Sequence, residues 1–277
     1  MKSPARIGMV NYINTAPIYE IWKEKQLPPN WQVLEGQPRQ LNELLLAGKI
    51  DMGFVSSFAY ALHPERYQIF ADLSISATGP VGSVFLFSRL PVEELDDQLV
   101  MLTKQSDTSI RLVQIILEEF YRLKPRYSTG AVYGPDSVAS KAAAVLAIGD
   151  DALRISRAQS YPVQLDLGEA WMRQTGLPFV FSVCVVREEF LTSQPEEARR
   201  IREMLLACRR EGGLRMAEIC QVVSDRIPMD HTACTHYLHA IEHDLSSVKI
   251  KALETYFSYL IARKEVPDTA LPVKIFS

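Results

Sequence analysis

Apolar runs and amphipathic stripes alternate along this chain in short units. Arg6 to Val10 reads as a strand that ends in the polar turn Asn11-Tyr12-Ile13-Asn14-Thr15-Ala16-Pro17, where Pro17 suits the first turn of a helix through Trp22. Trp31 to Glu35 reads as a second strand. Leu41, Leu44 and Leu45 then recur at helical spacing and stop at Gly48, and Ile50 to Val55 forms a buried strand ending at Ser56-Ser57. Strands alternating with helices in units this short predict a parallel α/β sheet.

The same grammar returns in mid-chain. Leu99 to Thr103 reads as a strand, Ser106-Asp107-Thr108-Ser109 as a helix N-terminus, and Ile110, Val113, Ile116, Leu117 and Phe120 as the apolar stripe that follows. Ser140-Lys141 leads into the apolar run Ala142 to Ile148 and then Gly149-Asp150-Asp151, an echo of Gly48-Lys49, Ile50 to Val55 and Ser56-Ser57. The repeat predicts two similar α/β lobes. The apolar segments Ser83 to Phe87 and Phe179 to Val186 are the expected crossings between them. That divides the chain into a discontinuous first lobe, 1–88 and 182–277, and an inserted second lobe, 89–181. From Glu196 to Lys264 the spacing is helical, so the tail is expected to pack as helices on the first lobe.

Composition sharpens this picture by exclusion. With 277 residues, 47% hydrophobic and 23% charged, the chain is long enough for a sizeable core and too ordinary in mixture for disorder. Thirty basic against 33 acidic residues, with no Lys/Arg cluster interleaved with aromatics, argue against a nucleic-acid partner. The opening residues lack the apolar core of a secretory signal and no run of about 18 apolar residues occurs, which predicts a cytoplasmic protein with no membrane partner. Cys184, Cys208, Cys220 and Cys234 show no CxxC pair and read as reduced thiols. A monomer and a homodimer are equally open.

In α/β sheets of this kind, ligands bind beyond the carboxyl ends of strands. The polar clusters Asn11 to Thr15, Ser56-Ser57, Ser106 to Ser109 and Gly149 to Asp151 fall at such ends, with Thr78-Gly79-Pro80 and Ser83 just before the expected crossing. Nearly all supply neutral hydrogen-bond donors, which suits a small carboxylate held by hydroxyls and backbone N–H groups. Each has a plainer reading: Ser and Thr at helix starts are ordinary caps, Asp150 and Asp151 can cap the helix from Ala152, and Asn14 can be a turn residue. Their joint occurrence at four matching strand ends favours the functional one.

His239-Ala240-Ile241-Glu242-His243 matches the H-x-x-E-H pattern of inverted zinc peptidases, with both histidines expected on one helix face. Such a short match arises readily by chance, and only Glu254 and Glu265 stand out as further carboxylates, so no metal site is assigned. No phosphate loop, G-x-G-x-x-G run or G-x-S-x-G elbow occurs, and no cofactor is expected.

Taken in order, Asn11 to Pro17, Asp51 through Ser57, Asp72 to Ser76 with Gly79-Pro80-Val81 and Ser83, Ile148-Gly149-Asp150-Asp151-Ala152-Leu153, and Asp166-Leu167-Gly168 with Thr175 to Phe181 resemble the chorismate dehydratase family of the futalosine route to menaquinone. The sister enzyme that acts on cyclic dehypoxanthinylfutalosine resembles the chain less, at the first loop and at the Ile-Gly-Asp-Asp-Ala-Leu run. Gly82 stands where the family often carries Lys. The resemblance implies a two-lobed periplasmic-binding-protein-like type II fold, no metal or organic cofactor, and loss of water from chorismate in the interlobe cleft. For that reaction Asn14 and Asp150 are the candidate catalytic residues, and Tyr12, Thr15, Ser56, Ser57, Ser83, Thr108, Ser109 and Gly149 the candidate substrate-binding ones. A non-catalytic small-carboxylate binding protein is the alternative from another class, because fold alone does not imply catalysis.

Overall fold

The computed structural model describes residues 3–134, 137, 139–226 and 229–277. The chain starts with β1 (Ala5–Met9), α1 (Ala16–Glu24), β2 (Trp31–Glu35), α2 (Pro38–Leu46), β3 (Met52–Ser56), α3 (Ser57–Leu62) and the long β4 (Tyr67–Ala77). It then passes through residues 78–83 into β5 (Val84–Ser88), β6 (Leu99–Leu102), α4 (Asp107–Ile115), β7 (Arg126–Thr129), β8 (Ala144–Ile148), α5 (Gly149–Ala158), β9 (Val163–Asp166) and α6 (Leu167–Thr175). It returns as β10 (Phe179–Arg187) and finishes with α7 (Glu188–Ser193), α8 (Pro195–Leu214), α9 (Met216–Val223), α10 (His231–Ala240), α11 (Ser247–Ala262) and the short β11 (Ile275–Phe276).

Two sheets result, in the orders β11-β4-β10-β3-β1-β2 and β7-β6-β8-β5-β9. The strands and helices expected up to α4 fall where the hydrophobic periods put them, whereas the helical spacing of the tail is broken between Ala240 and Ser247, and two further expectations are corrected. The crossings are not Ser83 to Phe87 and Phe179 to Val186: β5 pairs along its whole length with β8 and β9, and β10 with β3 and β4. Passage between lobes instead uses residues 78–83 outward and 167–178 on return. Nor is either sheet all parallel. β5 and β10 are the first strands laid down after each crossing, and both run antiparallel to their neighbours. An apolar run marks burial but not direction, so sequence had no access to this.

The two crossings are locked together by one carboxylate. Asp166, 5% exposed at the end of β9, accepts N–H groups from Val81 (3.0 Å) and Gly82 (2.7 Å) of the outward crossing and from Gly168 (2.9 Å) and Glu169 (3.1 Å) of α6. Burial pushes its carboxyl upward, against the pull of those donors. The passages approach so closely that a Cβ on Gly168 would lie 2.6 Å from the carbonyl oxygen of Gly79. Gly82 has φ +71, so the turn that reaches Asp166 suits a glycine better than the family's lysine.

The tail does more than coat the first lobe. α8 packs on α1 and β4, as helical spacing predicted, but α11 reaches both lobes. Tyr256 Oη donates to the carbonyl of Thr108 (3.3 Å), and Arg263 pairs with Glu118 (2.8 Å) and Glu119 (3.2 Å) of the second lobe. One apolar core therefore runs through both lobes.

Val81, Gly168 and Glu169 bond one carboxylate oxygen and Gly82 the other, so Asp166→Asn would keep one acceptor and set an amide N–H₂ against the donors on the other side. We expect it to lower unfolding stability by about 2 to 4 kcal/mol, the order of cost of leaving buried donors unpaired, read from urea denaturation midpoints. An unchanged midpoint would show that the crossings are held by packing alone.

Candidate active site

Between the lobes, where the carboxyl ends of β1, β3 and β8 face one another across the crossings, lies a cavity with roughly 680 Å³ of empty space including its open mouth. Its walls are apolar, from Val10, Phe54, Ile75, Val81, Phe181 and Ile241. The polar groups that enter it are Asn14, Ser56, Ser83, Ser106, Ser109, Ser182 and the start of α5 at Gly149, with Tyr12 closing the mouth. Asn14 and Gly149 come from different lobes, so the cleft brings together what the sequence spaces widely.

Hydrogen bonding sorts the hydroxyls by what remains of their protons. Ser56 caps α3 by accepting the Ala59 N–H (3.2 Å), and Ser106 caps α4 by accepting the Ser109 N–H (3.2 Å). At Ser56 the capping reading and the ligand reading thus coexist, because a hydroxyl that accepts from the backbone keeps its own proton for a ligand, whereas Ser106 donates its proton to Ser109 Oγ (3.1 Å) and leaves the Ser109 proton for a ligand. Ser83 Oγ accepts from Tyr237 Oη (2.9 Å), while its carbonyl takes the Gly149 N–H (2.7 Å). Ser57 instead donates to the Val180 carbonyl (2.7 Å), Ser182 to Val55 (2.6 Å), and Thr15 to Val10 (2.6 Å) and Tyr12 (2.8 Å).

Three expected ligand contacts are therefore corrected. Thr15 and Ser57 are outside the cavity lining and spend their protons on carbonyls, Thr15 to close the first loop and Ser57 to join α3 to β10. Thr108 is also outside it: its Oγ1 accepts the Phe58 N–H (3.0 Å) and fastens α4 to α3 across the lobes. Tyr12, Ser56, Ser83, Ser109, Gly149 and Asn14 all line the cavity. Sequence reading passed over Ser182 and Tyr237, the first hidden in an apolar strand and the second in a tail helix with no motif. Ser106 stood in one of the four polar clusters but was not among the candidate binding residues.

Asn14 has an unusual buried group. Its Oδ1 is buried without a hydrogen-bond partner, a costly state unless a ligand supplies the donor, while its backbone carbonyl is held by His243 Nε2 at 2.7 Å. Asp150 is not in the inner cavity. It opens on an outer chamber behind Tyr12, among Gln37, Arg39, Lys104, Asp151 and Arg154, and its Oδ1 is likewise buried without a partner. Burial raises the Asp150 carboxyl above the usual range, Arg154 opposing and Asp151 reinforcing the shift. Tyr12 separates the chambers. Its hydroxyl bonds Gln37, and burial with the nearby Asp150 and Asp151 charges pushes it up to about 12.

The H-x-x-E-H histidines do not share a helix face, because α10 ends at Ala240 and the chain continues extended at Ile241. His239 stays on the helix, whereas His243 is buried against Asn14 and Ser76 receives Glu242 in a backbone bridge. Among the described residues no group of three or more His, Cys, Asp or Glu side chains is arranged to hold a metal ion. No helix among the described residues is long and apolar enough to cross a membrane.

Residues 5–262 match the family model described as menaquinone biosynthesis. A chorismate dehydratase of Thermus thermophilus is 30% identical over 257 residues, spanning 87% of this chain and 90% of that protein. The chain belongs to the menaquinone-biosynthesis family that includes chorismate dehydratase. Its fold is that of the periplasmic binding proteins. A Candida albicans gene product described as having the generic periplasmic-binding-protein fold superimposes with a TM-score of 0.71 at 9% identity, over 98% of this chain and 94% of the other. The periplasmic aliphatic sulphonate binding protein of Escherichia coli gives 0.68 at 12% identity, over 97% and 95%.

His243 makes the first loop sensitive to acid. Burial lowers its pKa from 6.5 to about 4, with Arg209 and Lys249 pushing the same way and the Asn14 carbonyl and Asp244 opposing. The unfolded chain then binds a proton that the folded chain refuses, so stability is complete above about pH 6.5 and falls as pH drops towards 4. Between pH 7 and 5 the loss from this group should be about 2 kcal/mol. Denaturation midpoints of the wild type and of His243→Gln measure it: the substitution should flatten that part of the slope, and equal slopes would remove His243 as the cause.

Proposed function

We propose that this chain is a hydro-lyase that converts chorismate to 3-(1-carboxyvinyloxy)benzoate and water, working in the cytoplasm. The observation that carries the reading is the match to a chorismate dehydratase along 87% of the chain. The cavity supports it: apolar walls suit a cyclohexadiene ring, and the Ser56, Ser83 and Ser109 hydroxyls suit carboxylates without the fixed positive charge of Arg or Lys. Four buried free cysteines suit a reducing compartment.

The chemistry asks for three things. The hydrogen at C3 of chorismate is acidified through the diene by the ring carboxylate, so its removal gives an extended enolate. The neighbouring C4 hydroxyl then leaves, taking up the proton removed from C3 so that it departs as water, and the ring becomes aromatic. The protein must bind both carboxylates, stabilise the enolate and hydrogen-bond the departing oxygen. Hydroxyls whose protons are uncommitted meet the first two needs. The orphaned Asn14 Oδ1 can accept from the C4 hydroxyl and so orient the leaving group, and its amide N–H₂ can donate to developing charge.

Among the described residues that line the inner cavity there is no carboxylate or imidazole side chain to serve as a base, and Asp150 and Asp151 lie behind Tyr12. The substrate carries its own. Its enolpyruvyl carboxylate hangs from C3 and reaches the C3 hydrogen intramolecularly, where effective molarity replaces an enzyme base. Asp150 then shapes the mouth and is no proton acceptor.

Incubation of the purified protein with chorismate should yield the aromatic product, seen by absorbance and a mass 18 Da below the substrate, one water lost. Chorismate that binds but persists unchanged would return the chain to a carboxylate-binding role. Asp150→Asn should keep measurable turnover, within about tenfold of wild type, and a pH profile with no base limb near neutrality. Abolished turnover with binding intact would make Asp150 the base.

A further inference from the structure

We propose that Tyr237 is a positioning residue that commits the Ser83 hydroxyl to donate into the cavity, an inference that rests on the dehydratase reading. Tyr237 is carried by α10 of the tail, far in sequence from the crossing it meets, and it is 7% exposed. Its Oη lies 2.9 Å from Ser83 Oγ, and Ser83 is 2% exposed at the last residue before β5. Among the described residues neither hydroxyl has another hydrogen-bond partner.

The direction of this bond follows from what each proton can reach. If Ser83 donated to Tyr237, the phenol proton would point into packed side chains with no acceptor, and an unpaired buried donor is costly. If Tyr237 donates, every proton has a place: the phenol's on Ser83 Oγ and the serine's in the cavity, where a substrate oxygen can take it. Burial holds Tyr237 far above the usual phenol range, and the Asp150 and Asp166 charges push it the same way, so it keeps its proton throughout the neutral range.

The other cavity serines show what this arrangement prevents. Ser182 donates to the Val55 carbonyl and is left as an acceptor, which would repel an anionic oxygen. Ser83 escapes that outcome because Tyr237 occupies its acceptor site. The contact also couples the tail to the crossing: Gly82 lies against the Tyr237 ring, where a Cβ would meet Cδ2 at 3.5 Å, and Asp166 holds the Gly82 N–H from the other side. Ser83 is thereby fixed in place by one group and in polarity by another.

The test is a double-mutant cycle on chorismate turnover with Tyr237→Phe, Ser83→Ala and the pair. Tyr237→Phe should lower kcat about tenfold, the worth of one hydrogen bond in the transition state, while KM changes little. The pair should be no slower than Ser83→Ala alone, because Tyr237 acts through Ser83. Site-specific 3-fluorotyrosine at 237, which keeps the hydroxyl, should restore kcat, and it remains informative should Tyr237→Phe melt lower. Multiplicative losses in the pair, an unchanged kcat in Tyr237→Phe, or no recovery with 3-fluorotyrosine would each overturn the proposal while leaving the dehydratase reading intact. A wild-type protein that does not consume chorismate would sink that reading, and this proposal with it.

Discussion

The Asp166 carboxylate is the contact on which the two-lobed arrangement turns. A chain that leaves one sheet and returns to it must pass twice through the narrow space between lobes, and both passages carry backbone N–H groups away from any ladder. Buried donors of that kind need acceptors. Asp166 supplies one group for four of them, two from each passage. The passages then lie close enough that Gly168 has no room for a side chain beside Gly79. Ser83 follows immediately, so the same carboxylate that joins the lobes also sets the cavity floor.

The cavity built on this frame handles charge with neutral groups. Ser56 and Ser106 hold helix N-termini by accepting from the backbone; Ser56 retains a proton for a ligand, and Ser106 donates to Ser109, whose own proton is then the one left over. The charged side chains Arg39, Lys104 and Arg154 stand outside, behind Tyr12, together with Asp150 and Asp151, so fixed charge of both signs is kept in the outer chamber.

The C-terminal tail completes the site from behind. His243 holds the carbonyl of Asn14, Tyr237 meets Ser83, and Ile241 contributes to the wall, so the end of α10 and the short stretch after it support both the first loop and the outward crossing. α11 meanwhile ties Thr108 and the acidic pair Glu118 and Glu119 to the first lobe. Such bracing ties the two lobes together and makes the tail part of the frame of the cavity rather than a cover.

The sequence by itself determined the order of the first strands and helices and their mid-chain repeat, and which of those strand ends carry polar residues, because hydrophobic period and cap residues are local properties of the chain. Asn14, Ser56, Ser83, Ser109 and Gly149 were legible for that reason: each follows an apolar strand or opens a helix or crossing. What a hydroxyl does with its proton is a property of the partner it meets, and those partners lie far along the chain. Ser57 meets Val180, Thr108 meets Phe58, and Ser83 meets Tyr237. Strand direction at β5 and β10 and the break that parts His243 from His239 were hidden likewise, since an apolar run is the same read in either direction and a helical spacing persists past a helix end. Only the tertiary structure decided which of the polar residues face a ligand, because burial and pairing are settled when distant segments compete for the same few donors and acceptors.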